Sequence, residues 1–188
     1  MMEEAIIFID GAYLSLISKH LGNSKPLIFD MKKFAERIAK KENLFCKEIY
    51  YYTCPPFQSD FPSEDEIKRK KGYDKFVSKL RKSAINIREG RCQRINNTFS
   101  QKGVDTLITI DLIRNASQMH NFILVTCDTD FVPAIRDIKE KEKTNFIIYY
   151  FKDFVKGSKF SMSDHILDAC DKKVLLKRQD FDNLPIED

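Results

Sequence analysis

The sequence predicts an α/β fold, with a mostly parallel central sheet covered by helices on both faces. Three observations carry this. Two short, strongly apolar runs, "EAIIFID" at 4–10 and "FILVTC" at 122–127, read as strands buried on both sides. Between such runs lie stretches with apolar residues at helical spacing, so strand and helix alternate along the chain. The two apolar strands also end in turn or capping residues, Asp10-Gly11 and Asp128-Thr129-Asp130.

The elements follow in order. After the strand at 4–10, residues 12–21 place apolar side chains at 13, 14, 16, 17 and 21, a helical pattern. Asp30 is an N-cap for "MKKFAERIAKK", with Phe34, Ala35 and Ile38 turned inward. A second strand at 44–53 stops at Pro55-Pro56. Ser63 and Glu66 then form a capping box that opens a basic amphipathic helix, with Gly72 as a candidate break and Phe76, Val77 and Leu80 on its core side. Residues 85–92 alternate as a strand with one polar side, and "QRINNTFSQKG" is a loop or hairpin arm. A helix over 104–117, a strand over 122–127, a helix over 131–141 and a strand over 145–151 follow. A helix at 163–170 and a short strand at 174–176 close one domain over 1–178, leaving 179–188 as a short polar tail.

With 188 residues, 43% apolar and 32% charged, the chain suits a globular domain of ordinary size and not a disordered one. No run approaches the roughly 18–20 apolar residues that a membrane span needs, and "MMEEAIIFID" lacks the basic start of a signal peptide. Five cysteines without a C-x-x-C and three scattered histidines indicate neither a disulfide framework nor a zinc site. A reduced, cytoplasmic protein is expected. Charge is unevenly spread: residues 68–102 hold twelve Lys/Arg against Asp74 and Glu89, a local net of +10, leaving 20 basic and 26 acidic residues elsewhere. One basic segment on an otherwise acidic protein suggests a face for a polyanion, although lysines on a solvated helix would look similar. The candidate contacts are Lys68, Arg69, Lys70 and Lys71 on the helix, and Arg88, Arg91 and Arg94 on the strand and loop, where arginine suits phosphate.

In open parallel sheets, functional groups collect beyond the carboxyl ends of the strands. Asp10 ends one apolar strand, and Asp128 and Asp130 follow another. Asp105, at the start of a predicted helix, is placed to join them; Asp111, about 240° further round that helix, is not, and stands as a supporting candidate. Singly, each acid has a structural explanation as a turn, cap or helix-dipole residue. Collected on one edge, they repel one another and call for a cation. All-oxygen donors select Mg²⁺ or Mn²⁺, and a hard cation held by carboxylates suits phosphodiester hydrolysis.

The stretches "IIFIDGAYL", "KGVDTLITIDLI" and "ILVTCDTDFVPAI" resemble, in order and spacing, the NYN domain, and specifically its LabA-like bacterial branch within the PIN/FLAP-like nucleases. "FSMSDHILDACDKKVLL" resembles that branch's last helix and strand, so the likeness covers roughly residues 4–177. The resemblance implies a PIN-like three-layer α/β/α fold and a metal-dependent ribonuclease acting on RNA, single-stranded in the first instance. Asp10, Asp105 and Asp128 match the family's metal-binding acids, with Asp130 as the fourth. Lys102 matches the basic residue before "VD", and Thr126 the hydroxyl of the "S-G-D" turn. Two positions depart from the pattern: Tyr13 stands where the family has Asn after D-G-x, and Cys127 replaces glycine.

Three rival readings remain at this stage. Glu89 followed by the later D-T-D mimics a Toprim module, and the apolar run before D-x-D mimics a dehalogenase-type signature. A third is an RNA-binding or adaptor protein that keeps the fold without cleavage.

Overall fold

The strand expected at 4–10 is β1 (Glu3–Asp10), and its residues Ala5 to Ile9 are almost wholly buried. The structure is a computed structural model that describes residues 2–95, 98–153, 160 and 163–186. Because successive side chains of a strand point to opposite faces, Ala5, Ile7 and Ile9 enter one core while Ile6 and Phe8 enter a second. A strand with no wet side must lie in the middle of its sheet. β1 does: the order is β3-β2-β1-β6-β7-β8, formed with β2 (Leu44–Thr53), β3 (Asn86–Glu89), β6 (Asn121–Val125), β7 (Asn145–Tyr150) and β8 (Lys172–Leu175). Every pairing in this six-stranded sheet is parallel.

Helices fill both faces. α1 (Gly11–Leu21), α2 (Met31–Lys41) and α3 (Glu64–Lys82) supply Leu14, Ile17, Phe34, Ile38 and Leu80 to the first core. α4 (Val104–Ala116), α5 (Val132–Glu142) and α6 (Asp164–Ala169) supply Ile108, Leu112, Ile135 and Ile166 to the second. The result is the three-layer α/β/α arrangement of a PIN-like fold. Strand order reverses direction between β1 and β6, so their carboxyl ends flank the switch-point crevice where doubly wound sheets bind ligands. No helix among the described residues is long and apolar enough to cross a membrane.

Four local expectations need correction. The capping box of α3 forms as expected, Ser63 with Glu66, but the helix runs unbroken through Gly72, where the first turn's acids and the last turn's Lys79, Arg81 and Lys82 complement its dipole. On that helix Val77 and Leu80 are buried, whereas Phe76 is 42% exposed, its ring edge on Tyr51. The single strand expected at 85–92 divides at Gly90: β3 pairs with β2, and the chain then leaves the sheet as an antiparallel arm, β4 (Arg91–Ile95) with β5 (Thr98–Lys102). Residues 96 and 97 of the predicted hairpin lie outside the described residues.

The fourth correction concerns 179–188, whose described part is no solvated tail. Phe181 and Leu184 are buried in the first core, with Phe181 stacked on Phe34 at 5.0 Å. Arg37 Nη1 donates to the carbonyl oxygens of Gln179 and Asp182, at 3.2 and 2.6 Å, and Lys41 pairs with Asp180. The pattern hid this because two apolar residues among acids carry no periodicity. Phe181→Ala removes a ring from a packed core and lowers unfolding free energy by about 3 kcal/mol, measured by denaturant melts; a solvated tail would give no change.

Candidate functional site

The crevice between β1 and β6 is built by two aspartates that each cap the turn following their strand. Ile9 is in register with Val125, so the residues just beyond, Asp10 on one side and Thr126 to Asp128 on the other, emerge side by side. Asp10 Oδ1 accepts from Ala12 N at 2.9 Å and Tyr13 N at 3.1 Å, closing the first turn of α1. Asp128 Oδ1 accepts from Asp130 N at 2.9 Å, and Thr126 Oγ1 accepts from Asp128 N at 3.2 Å. These bonds fix both carboxyl groups with one oxygen each.

Asp105 arrives from the other side of the crevice. Gly103, with φ of +82°, turns the chain from the arm into α4, a conformation that favours glycine. Asp105 then lies in the helix's first turn, and no side chain caps that end, so it is not the N-cap considered above. Asp130 sits exposed in a short 3₁₀ turn; α5 begins after Phe131 without a side-chain cap, so Asp130 does not cap it either. Burial raises the Asp10 carboxyl above its ordinary value; its two backbone donors pull the other way, while the charges of Asp105 and Asp128 add to the rise. Partial shielding also raises Asp105, an exposed residue, and the charges of Asp128 and Asp130 reinforce it. The four acids therefore share one electrostatic site. Among the described residues, no lysine or arginine pairs with any of them.

Among the described residues, no three His, Cys, Asp or Glu side chains converge closely enough to grip a metal as they stand. The donor chemistry still fits a hard cation. Mg²⁺ keeps several waters and takes only one or two carboxylates directly, so an open, all-oxygen set around a crevice suits it where a closed cage would not. The two acids held by the backbone are the anchored members of that set, and Asp105 and Asp130 are the exposed ones.

The supporting residues divide. Thr126 is buried and orders the Asp128 turn. Tyr13 bonds Asp10 through its backbone N–H; its phenol donates to Phe151 O at 3.4 Å and accepts from Phe151 N at 2.8 Å, tying α1 to the end of β7. Cys127 is half-buried between Asp10 and Asp128, and burial together with those charges pushes its thiol up to about 11, so it is a neutral wall. Asp111 belongs elsewhere: buried, it accepts from Arg88 Nε at 2.8 Å, Arg88 Nη2 at 3.1 Å and Tyr52 Oη at 3.0 Å. That bidentate pair joins α4 to β3 and corrects the expectation for Arg88, which holds the fold together instead of offering a free phosphate contact.

Among the other basic candidates, Lys70 pairs with Asp74 and Arg69 Nε donates to Asp65 O, while Lys68 and Lys71 are exposed on α3. Arg91 and Lys102 face each other across the arm, and Arg94 lies over the Phe99 ring at 5.9 Å. Glu89 accepts from Tyr73 Oη at 2.7 Å and Arg81 Nη2 at 2.8 Å, on an edge strand two places from β1. β2 and β1 thus separate it from the D-x-D strand, which removes the Toprim arrangement.

One pair carries no signal in the sequence. Gly11 packs so tightly on β2 that a Cβ would lie 2.6 Å from Tyr52 O and 2.7 Å from Tyr51 Oη. The Tyr51 hydroxyl therefore lies against Gly11, the residue after Asp10, and burial plus the Asp10 charge keeps it protonated. The Asp-Gly step was visible in the sequence; the tyrosine beneath it depends on the β1–β2 register, Asp10 with Tyr52.

The family comparison agrees with this architecture: the NYN domain matches residues 4–176. No curated protein matches the chain. Among solved structures, a protein of unknown function from Vibrio parahaemolyticus is similar at 20% identity over 96% of both chains, with a TM-score of 0.63, a likeness of fold. A structure described under the mechanism and regulation of Sir2 enzymes aligns over 94% of this chain and 88% of its own at 11% identity, with a TM-score of only 0.40.

Asparagine caps a helix as well as aspartate but carries no charge. With chelator present at pH 7, Asp10→Asn should therefore raise Tm by roughly 2–4 °C, on the order of 1 kcal/mol. The wild-type penalty begins as the unfolded chain ionises near the ordinary carboxyl value of 3.8 and is complete once pH exceeds the raised value of folded Asp10. The gain must therefore shrink as pH falls through that window and vanish below 3.8. A thermal melt series across pH reads both.

Proposed function

Because the chain belongs to the NYN domain family, we propose that it is a metal-dependent nuclease of the LabA-like branch that hydrolyses RNA phosphodiester bonds. The observation that carries this reading is the meeting of Asp10 and Asp128 at the strand-order reversal, with Asp105 and Asp130 coupled to them and no basic side chain among the described residues neutralising the group. RNA as substrate, the branch and a cytoplasmic setting rest on the sequence resemblance and on five free thiols, which suit a reducing compartment.

Asp10, Asp105, Asp128 and Asp130 are the residues that would hold Mg²⁺ or Mn²⁺. Bound there, the cation supplies Lewis acidity and charge neutralisation toward a phosphodiester. The chain contributes positioning: the backbone bonds to Asp10 and Asp128 keep two carboxylates from turning away when no substrate is present. Tyr51 keeps a neutral hydroxyl against Gly11 beside Asp10, and the neutral Cys127 thiol adds no charge there. Lys102, exposed at the end of β5 just before the turn into α4, brings positive charge to the same rim for an incoming phosphate.

A second reading, RNA binding without cleavage, draws on one observation: the acids are not closed into a metal-gripping geometry. Cleavage of a labelled single-stranded RNA with Mg²⁺ or Mn²⁺ titrated in decides between them. The nuclease reading expects cleavage that chelator stops and that Asp128→Asn lowers at least about 100-fold, as loss of a transition-state electrostatic contact does. Binding with no metal-dependent cleavage in the wild type would leave the second reading standing.

A further inference from the structure

The arm formed by β4 and β5 stands outside both cores, yet it concentrates groups that a merely structural hairpin would not need. Its sides differ, because alternate residues of a ribbon point in opposite directions. One side carries Arg94 and Phe99 as cross-strand partners, with the Arg94 guanidinium 5.9 Å from the centre of the Phe99 ring. Phe57, half-buried in the loop after β2, packs on the same ring at 5.6 Å and 45°. Phe99 nevertheless keeps half its surface in water. The other side carries Arg91 directly opposite Lys102, and neither forms an ion pair among the described residues. Like charges at directly opposed positions destabilise a strand pair unless an anion lies between them.

The root of this arm is fixed to the acidic crevice. Gly90 N–H donates to Thr53 O at 2.9 Å, continuing the β2–β3 ladder, and a Cβ on Gly90 would lie 2.6 Å from Lys102 O. Lys102 is followed by Gly103, and Asp105 comes two residues later in α4. Phe99 is thus about 10 Å of strand from the Arg91–Lys102 pair, which itself adjoins the helix end bearing Asp105.

We infer that the arm is a clamp for an unpaired nucleic-acid strand that crosses its edge, stacking a base on Phe99 beside Arg94 and Phe57 on one side and passing its backbone phosphate to Arg91 and Lys102 on the other. The inference rests on the nuclease reading for the direction of the strand, toward the carboxylates, but the binding itself needs no cleavage. Stacking on an aromatic face is available only to a base that is not paired within a helix, so the clamp selects single strands over duplex. The cross-strand basic pair supplies the salt-dependent part of the affinity.

The test is fluorescence anisotropy in chelator, where cleavage is silent. The probes are a 12-nucleotide oligouridine RNA, the same strand paired with its complement, and a 12-unit abasic phosphodiester. Phe99→Ala weakens binding of the single strand about 5- to 100-fold and leaves the duplex and the abasic chain unchanged. Phe99→Tyr keeps wild-type affinity, which separates stacking from damage to the arm. Arg91→Gln and Lys102→Gln each lower the slope of log affinity against log salt by about 0.7 on the single strand. The clamp is overturned if Phe99→Ala binds the single strand as the wild type does, or if it weakens all three probes equally. Loss of the Phe99 effect with metal-dependent cleavage intact would sink the clamp alone, and the reverse pattern would sink only the nuclease reading.

Discussion

Four carboxylates repel one another at one edge of the sheet, and the fold holds them there against that repulsion. Asp10 and Asp128 emerge side by side because β1 and β6 are parallel neighbours in register, and the charges of Asp105, Asp128 and Asp130 act across the same crevice. The chain does nothing among its described residues to neutralise them, although it carries 32 Lys and Arg. Elsewhere it pairs buried acids carefully, as Asp111 with Arg88 and Tyr52, or Asp180 with Lys41. A cluster of acids with no basic partner among the described residues, set at the switch point, is the behaviour of a site that takes its positive charge from outside.

The same residues that carry the charge also build the local fold. Asp10 closes the first turn of α1 and Asp128 closes the turn leading to α5, so repulsion cannot rotate either carboxyl group out of the crevice without giving up backbone hydrogen bonds. Stability and function therefore pull in opposite directions at position 10, where charge is unfavourable and the cap is favourable. Gly11 is part of this arrangement: any side chain there would collide with Tyr52 O and the Tyr51 ring and push β2 away from the turn that Asp10 caps.

Much of this was legible in the sequence, and the pattern of what was not is physical. Strand ends were readable because apolar runs terminate abruptly at Asp10 and at Thr126–Asp128, and the strand-end rule then assembles the site without coordinates. Pairings between distant segments were not readable. Arg88 looked like a phosphate contact because its partner Asp111 lies 23 residues away on a helix face that periodicity alone left unassigned. Tyr51 was invisible for the same reason, since its place follows from strand register. Phe76 was assigned to the core by helical spacing, yet the buried stripe of α3 is narrow and leaves that ring at its margin. The segment at 180–184 was missed because two apolar residues set no period, while burying both of them completes the first core.

Whether the four aspartates bind a cation together can be tested without any substrate. Titration calorimetry of the purified, chelator-treated protein with Mn²⁺ should show saturable binding, and the same ion should raise Tm in proportion to RT ln(1 + [Mn²⁺]/Kd). Asp128→Asn and Asp105→Asn, on different elements but in the same crevice, should each weaken that binding at least about tenfold, while Asp111→Asn should leave it unchanged. Wild-type binding that neither Asp128→Asn nor Asp105→Asn weakens, or no saturable binding at millimolar Mn²⁺, would mean that these aspartates are not a cation site.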